Sequence, residues 1–163
     1  MLHSARARAL AKLHRVEEAV EAVGQADEEF SHASPQNDPP WMTYYDAAQH
    51  SGDTGHALFD LALQGQFATE ARSRLQNAVQ GHTEAYVRSK AISGIKLASL
   101  TMAIGDPSEA AILGSAALLD AGHIRSRRAA DDLRELSSFS ERHSTTTEVE
   151  ELRTRIGATV AGV

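Results

Sequence analysis

The residues best equipped for chemistry lie in one short segment, His50-Ser51-Gly52-Asp53-Thr54-Gly55-His56. Imidazole and carboxylate are ordinary zinc ligands, so a His/Asp/His site is one chemistry this composition permits. Histidines four apart on a helix would share a face, whereas these are six apart across a stretch that reads as a glycine-rich turn. They therefore read as exposed loop histidines, and the other histidines, scattered singly, read as surface residues. Ser, His and Asp are abundant, but no Gly-x-Ser-x-Gly elbow exists to hold a nucleophile. No Gly-rich phosphate loop is present either. Arg125, Arg127, Arg128 and Arg134 form a basic cluster, but Asp131, Asp132 and Glu135 interleave with it. Such spacing favours a salt-bridged solvated face over contact with nucleic acid. The expectation is a chain with no catalytic residues, no metal ligands and no cofactor.

Composition points the same way. The chain has 163 residues, 42% of them hydrophobic, with no Cys and a formal net charge of −6. A chain of this length buries roughly two-thirds of its unfolded surface and needs no disulfide or metal staple. Without Cys, disulfide frameworks, Cys-ligated zinc, iron–sulfur clusters and cysteine nucleophiles are excluded. The acidic balance argues against a nucleic-acid surface spanning the molecule. Arg is nevertheless concentrated over 6–15 and 125–134, and 17–60 is acidic. No apolar run approaches the ~20 residues of a membrane span, and the start does not read as a signal peptide. The reading is a soluble, cytoplasmic protein that does not touch membranes. Aromatics make up 5% of the chain, while alanines number 28. That mixture favours close-packed helices over sheets.

Hydrophobic periodicity and breakers set the expected elements. One all-α domain over 1–163 is predicted, with helical hairpins at about 3–30, 54–79, 84–121 and 125–160. A Pro-rich linker spans 31–40, and an inserted helix follows over 41–51. Ser51 to Gly55 reads as a turn, with Asp53 or Thr54 as N-cap of the next helix. Gly105 suits a left-handed C-cap, Asp106 an N-cap, Pro107 the first helical position and Glu109 a capping box. Thr147 and Glu150 have the capping-box spacing too.

The organising signal is an internal repeat. Turns at Leu13–Val16, Gly65–Phe67 and Ile104–Pro107 are followed at a fixed distance by Ala19, Ala71 and Ala110, and seven residues later by Ala26, Ala78 and Ala117. Two antiparallel helices joined by a short turn touch near it, where only a small side chain fits. Hairpins that cannot bury their faces alone stack into a solenoid. The pattern of Ala98, Gly105-Asp106 and Ala110 resembles the tetratricopeptide repeat, with irregular spacing. Pro40-Trp41-x-x-Tyr44-Tyr45-Asp46-Ala47-Ala48, Tyr86-Val87-Arg88-Ser89-Lys90-Ala91 and the Arg125–Leu136 segment resemble the C-terminal repeat region of actinobacterial helix-turn-helix transcriptional regulators. The resemblance implies a right-handed solenoid of antiparallel hairpins that senses a signal or mediates association. Because the sequence reads as entering directly at a first repeat helix, the expectation is either the regulatory fragment of a longer protein or a free-standing relative.

Function is read accordingly. The first expectation is a non-catalytic protein-interaction or signal-sensing domain related to a transcriptional regulator. The alternative is a free-standing adaptor that binds a protein or peptide in its concave groove. Trp41, Tyr44 and Tyr45 either clamp the inserted helix or present a hydroxyl to the groove between repeats. Ile92, Ile95, Ser99 and Met102 are expected on the concave side, an apolar wall suited to a helix or peptide. With Arg88, Tyr44 and Tyr45 they form the candidate ligand- or peptide-binding set. The partner would be a protein or peptide, or a small signal molecule. The apolar ending Ala158-Thr159-Val160-Ala161-Gly162-Val163 suggests homodimerisation, because a terminal repeat normally needs a polar cap.

Overall fold

The computed structural model of the chain describes residues 1–34, 39–122 and 126–161. Among them the regular structure is entirely helical, with eight α-helices and no strand. In chain order these are α1 (Leu2–Lys12), α2 (Val16–Ser31), α3 (Ala47–Leu63), α4 (Ala68–Gly81), α5 (Val87–Ile104), α6 (Pro107–Gly122), α7 (Arg127–Ser140) and α8 (Thr147–Val160). Short 3-10 turns occupy Pro40–Met42, Glu84–Tyr86 and Glu141–His143. The chain divides into two compact units, Met1–Gly81 and His82–Val163.

In the first unit α1 pairs with α2, α3 pairs with α4, and α1 also packs on α3. Apolar residues at helical spacing dictate the buried faces: Ala7, Leu10 and Ala11 from α1, Ala19, Val23 and Ala26 from α2, Leu58, Leu61 and Ala62 from α3, and Ala71, Leu75 and Ala78 from α4. The two hairpin turns are built alike. After α1, the amides of His14 and Arg15 bond back to the carbonyls of Ala11 and Leu10. After α3, the amides of Gly65 and Gln66 bond back to Ala62 and Leu61. This is the Schellman arrangement, and its pivot residue must adopt positive φ. Gly65 does so without penalty at 83°, while His14 is forced to 57°.

The structure corrects the sequence reading between 41 and 63. No separate helix spans 41–51, and no turn breaks the chain at 51–55. A single 3-10 turn at Pro40–Met42 leads into α3, which runs unbroken from Ala47 to Leu63. Its cap is Asp46, whose carboxylate accepts the amide of Gln49 at 2.9 Å, rather than Asp53 or Thr54. Gly55, which read as a turn former, serves close packing instead. A Cβ on Gly55 would lie 3.0 Å from the Leu75 side chain and 3.2 Å from Cβ of Arg74. His50 and His56 are consequently buried in α3, 6% and 7% exposed, not loop residues. Of the predicted linker 31–40, residues 35–38 lie outside the described set.

In the second unit α5 pairs with α6, α7 with α8, α5 packs on α7, and α6 on α8. Its core joins Ala91, Ile92, Ile95, Ala98 and Met102 of α5 to Ala110, Ala117 and Leu118 of α6, Leu133 and Leu136 of α7, and Val149, Leu152 and Ile156 of α8. Asp106 caps α6 as expected, accepting the Glu109 amide at 2.7 Å. Gly105, however, has φ −122°, so α5 does not end in a left-handed cap. Nor does Thr147 form a capping box: it is the first residue of α8, and the N-cap is Thr146, without a side-chain cap bond. Ala19, Ala26, Ala71, Ala78, Ala98, Ala110 and Ala117 are each no more than 4% exposed. The small residues thus sit where helices meet.

Candidate functional site

The described side chains richest in chemistry converge on Asp27. This residue lies near the C-terminal end of α2, where α3 and α4 bring His50 and Arg74 against it. Arg74 donates from Nη1 to Oδ1 at 2.8 Å and from Nη2 to Oδ2 at 2.6 Å. That two-pronged geometry is the strong form of an Arg–carboxylate pair. His50 Nε2 donates to the same Oδ1 at 2.8 Å. Arg74 also reaches Thr54 Oγ1 at 2.8 Å and Glu70 Oε1 at 2.6 Å. Gly55 makes this possible, since its missing side chain lets α4 approach α3 beside Arg74.

Aromatic rings wall the cluster. The Phe30 ring stacks on His50 at 4.3 Å with only 3° between the planes. Tyr45 meets both rings edge-on, each at 6.1 Å. Its hydroxyl stands 3.4 Å from His50 Nδ1. Nε2–H toward Asp27, with Nδ1 accepting from Tyr45, is the neutral tautomer that satisfies both contacts.

The electrostatics follow from these contacts. Burial by itself would raise the Asp27 carboxyl, but hydrogen bonds from Arg74 and His50 outweigh it and hold the group below its ordinary value. The bond to Asp27 raises Arg74 against the opposing effect of burial. Burial pushes the Tyr45 phenol above its usual range. A histidine oriented by a carboxylate is general-base geometry. Here, however, one imidazole nitrogen is on Asp27, the other faces Tyr45, and Phe30 covers a ring face. The arrangement is suited to tying α2, α3 and α4 together. Sequence reading missed it because Asp27, His50 and Arg74 are far apart in the chain, and nothing local marks them as a set.

The predicted binding residues are placed less favourably than expected. Ile95, Ser99 and Met102 are fully buried and Ile92 is 7% exposed. They pack against other helices of their unit instead of lining an open concave wall. The cause is that α5 is apolar on more than one face, and the side read as concave is the side that α6 and α7 cover. Arg88 is exposed on the first turn of α5. Tyr44 is 40% exposed and meets Tyr45 edge-on at 6.2 Å. Trp41 is 71% exposed, whereas Tyr45 is anchored against Phe30.

Two arginines of the basic cluster have acidic partners. Arg134 pairs with Asp131 at 2.8 Å and Arg128 approaches Asp132 at 3.9 Å. Arg125 lies outside the described residues. Lys96, which the sequence did not single out, joins α5 to α7 through Asp132 and Glu135. Val160 packs against the core, and Gly162 and Val163 lie outside the described residues. The outer face of α8 is polar, carrying Glu148, Glu151, Thr154 and Arg155. A cleft of about 570 Å³ runs along it, lined by residues such as Ser144, Glu150, Thr154 and Arg155. Among the described residues no group of three or more His, Asp or Glu could hold a metal ion. No helix among them is long and apolar enough to cross a membrane. No family model matches the chain, and no curated protein or solved structure matches it either.

Proposed function

We propose that this chain is a non-catalytic, tetratricopeptide-like domain, related to transcriptional regulators, that binds a protein or peptide. The observation that carries the reading is the aromatic shelf at Trp41, Tyr44 and Tyr45. Tyr45 is anchored by Phe30 and His50, and the adjacent Tyr44 and Trp41 are left at the surface. A fixed aromatic surface binds at small cost in side-chain ordering, because few torsions must be frozen. The solenoid reading is supported by helix pairs joined by short turns, and by α1 packing on α3 and α5 on α7. The engagement of His50, Asp27 and Arg74 with one another favours a structural role for them over a catalytic one.

Trp41 is the chain's one tryptophan, so its fluorescence reports on this surface alone. Peptides selected from a random-peptide phage library should shift its emission to the blue on titration. Their affinity should fall at least tenfold in Trp41→Ala or Tyr44→Ala. Selected peptides that leave the emission unchanged and bind both variants normally would refute the reading.

A further inference from the structure

Helix α6 breaks the pattern of a surface helix. From Ala110 to Leu119 it reads Ala-Ala-Ile-Leu-Gly-Ser-Ala-Ala-Leu-Leu, without one charged residue. A helix apolar all round is normally buried all round. One side of α6 is buried: Ala110, Ala111, Ala117, Leu118 and Ala121 are each 5% exposed or less. A Cβ on Gly114 would lie 2.7 Å from Leu152, so α8 sits directly on that side. The opposite side carries Ile112 and Leu119, 69% and 65% exposed. Between them stand the half-buried Ser115 and the exposed Ala116.

We propose that this stripe of α6 is the contact surface for a second copy of the chain, with the two α6 helices antiparallel. The spacing is what singles out a second copy. Ile112 and Leu119 are two helical turns apart and equidistant from the midpoint of Ser115 and Ala116. A two-fold axis at that midpoint sets Ile112 of one copy against Leu119 of the other, twice over. The small residues then face each other at the crossing, where helices need room to approach. Such self-complementarity is what an isologous dimer requires. The charges agree with this arrangement. Lys90 of α5 pairs with Asp120 at 3.4 Å beside the stripe. The two-fold brings Glu109 of the other copy alongside that pair, so the Lys90 ammonium lies between two carboxylates. One helix face per copy buries less than the ~1,200 Å² of stable complexes, so the dimer is weak and depends on concentration.

Sedimentation equilibrium from ~10 μM to ~1 mM, a range suited to weak association, tests this. The expected result is a mass rising from 17.5 kDa toward twice that value. Ile112→Glu and Leu119→Glu should each hold the monomer mass throughout, with helical circular dichroism unchanged. Because the chain has no Cys, single cysteines give an independent measure. A short bis-maleimide should link Ala116→Cys into dimers and leave Thr154→Cys, on the exposed face of α8, monomeric. A constant monomer mass, a dimer that survives both glutamate substitutions, or equal cross-linking of the two cysteine variants would overturn the proposal. Peptide binding at Trp41 is a separate matter and stands under any of these results.

Discussion

Arg74 and Asp27 are 47 residues apart in sequence, yet the guanidinium of one grips both carboxylate oxygens of the other, at 2.8 and 2.6 Å. The pair joins α4 to α2, helices that otherwise barely touch, with α3 packed against both. Neither helix position is apolar, so the hydrophobic pattern cannot specify this contact. The ion pair, with His50 as third member, ties the C-terminal part of α2 to the middle of α4.

Removing one partner should therefore cost more than an ordinary surface ion pair. A fully buried pair loses 3–5 kcal/mol when broken, but the Asp27 side chain is 38% exposed and solvent screens the contact. We expect Arg74→Ala and Asp27→Asn to cost about 2 kcal/mol each. Together they should cost clearly less than the sum, because the second change removes a partner already lost. Urea unfolding of the four proteins, followed by circular dichroism, measures this. Additive losses would mean that the pair is not coupled.

The same pair sets a pH dependence. The folded-state value of Asp27 lies below the ordinary carboxylate value of 3.8. Its contribution is thus fully present above that value and disappears as pH falls through the lower, folded-state value. The stability difference between wild type and Asp27→Asn should hold steady from pH 7 to about pH 5 and shrink below 3.8. Tyr45 acts in the opposite direction. Its raised value means stability that is present below 10.0 and lost as pH climbs through the folded-state value. Tyr45→Phe should remove that alkaline loss, which unfolding curves above pH 10 would show.

The twin hairpin turns predict opposite responses at equivalent positions. His14 sits at φ 57° and Gly65 at φ 83°. His14→Gly relieves a left-handed conformation that costs an L-residue roughly 1–2 kcal/mol, partly offset by the flexibility glycine adds to the unfolded chain. A net gain of about 0.5–1 kcal/mol is expected. Gly65→Ala should lose about 1–2 kcal/mol. Thermal unfolding of both variants gives the sign directly.

Gly24 and Gly55 both lie within helices but should respond differently to alanine. Nothing approaches within 4 Å of a Cβ at Gly24, so Gly24→Ala should stabilise α2 by about 0.5–1 kcal/mol. At Gly55 the added methyl meets Leu75 and Arg74, at 3.0 and 3.2 Å. Gly55→Ala should cost about 1–3 kcal/mol through overpacking. It should also loosen the Asp27–Arg74 pair, visible as a smaller further loss on Arg74→Ala.

Much of the helical content was legible because its causes are local. Apolar spacing marks the inward faces of α2, α4, α7 and α8. Pro107 behind Asp106 marks the start of α6, since a capping carboxylate and a ring-fixed φ act within one turn. The alanines at 19, 71, 98 and 110 announced close helix contact by their size alone. Other features depended on neighbours distant in sequence. Gly55 is as suited to a turn as to a tight helix crossing, and only the presence of α4 made it the latter. Ile95, Ser99 and Met102 had a periodic face, but periodicity does not say whether solvent or α6 and α7 lie against it. Asp27, His50 and Arg74 carry no common spacing. Their alliance exists because three helices converge, and a long-range hydrogen-bonded ion pair leaves no periodic trace in the chain that encodes it.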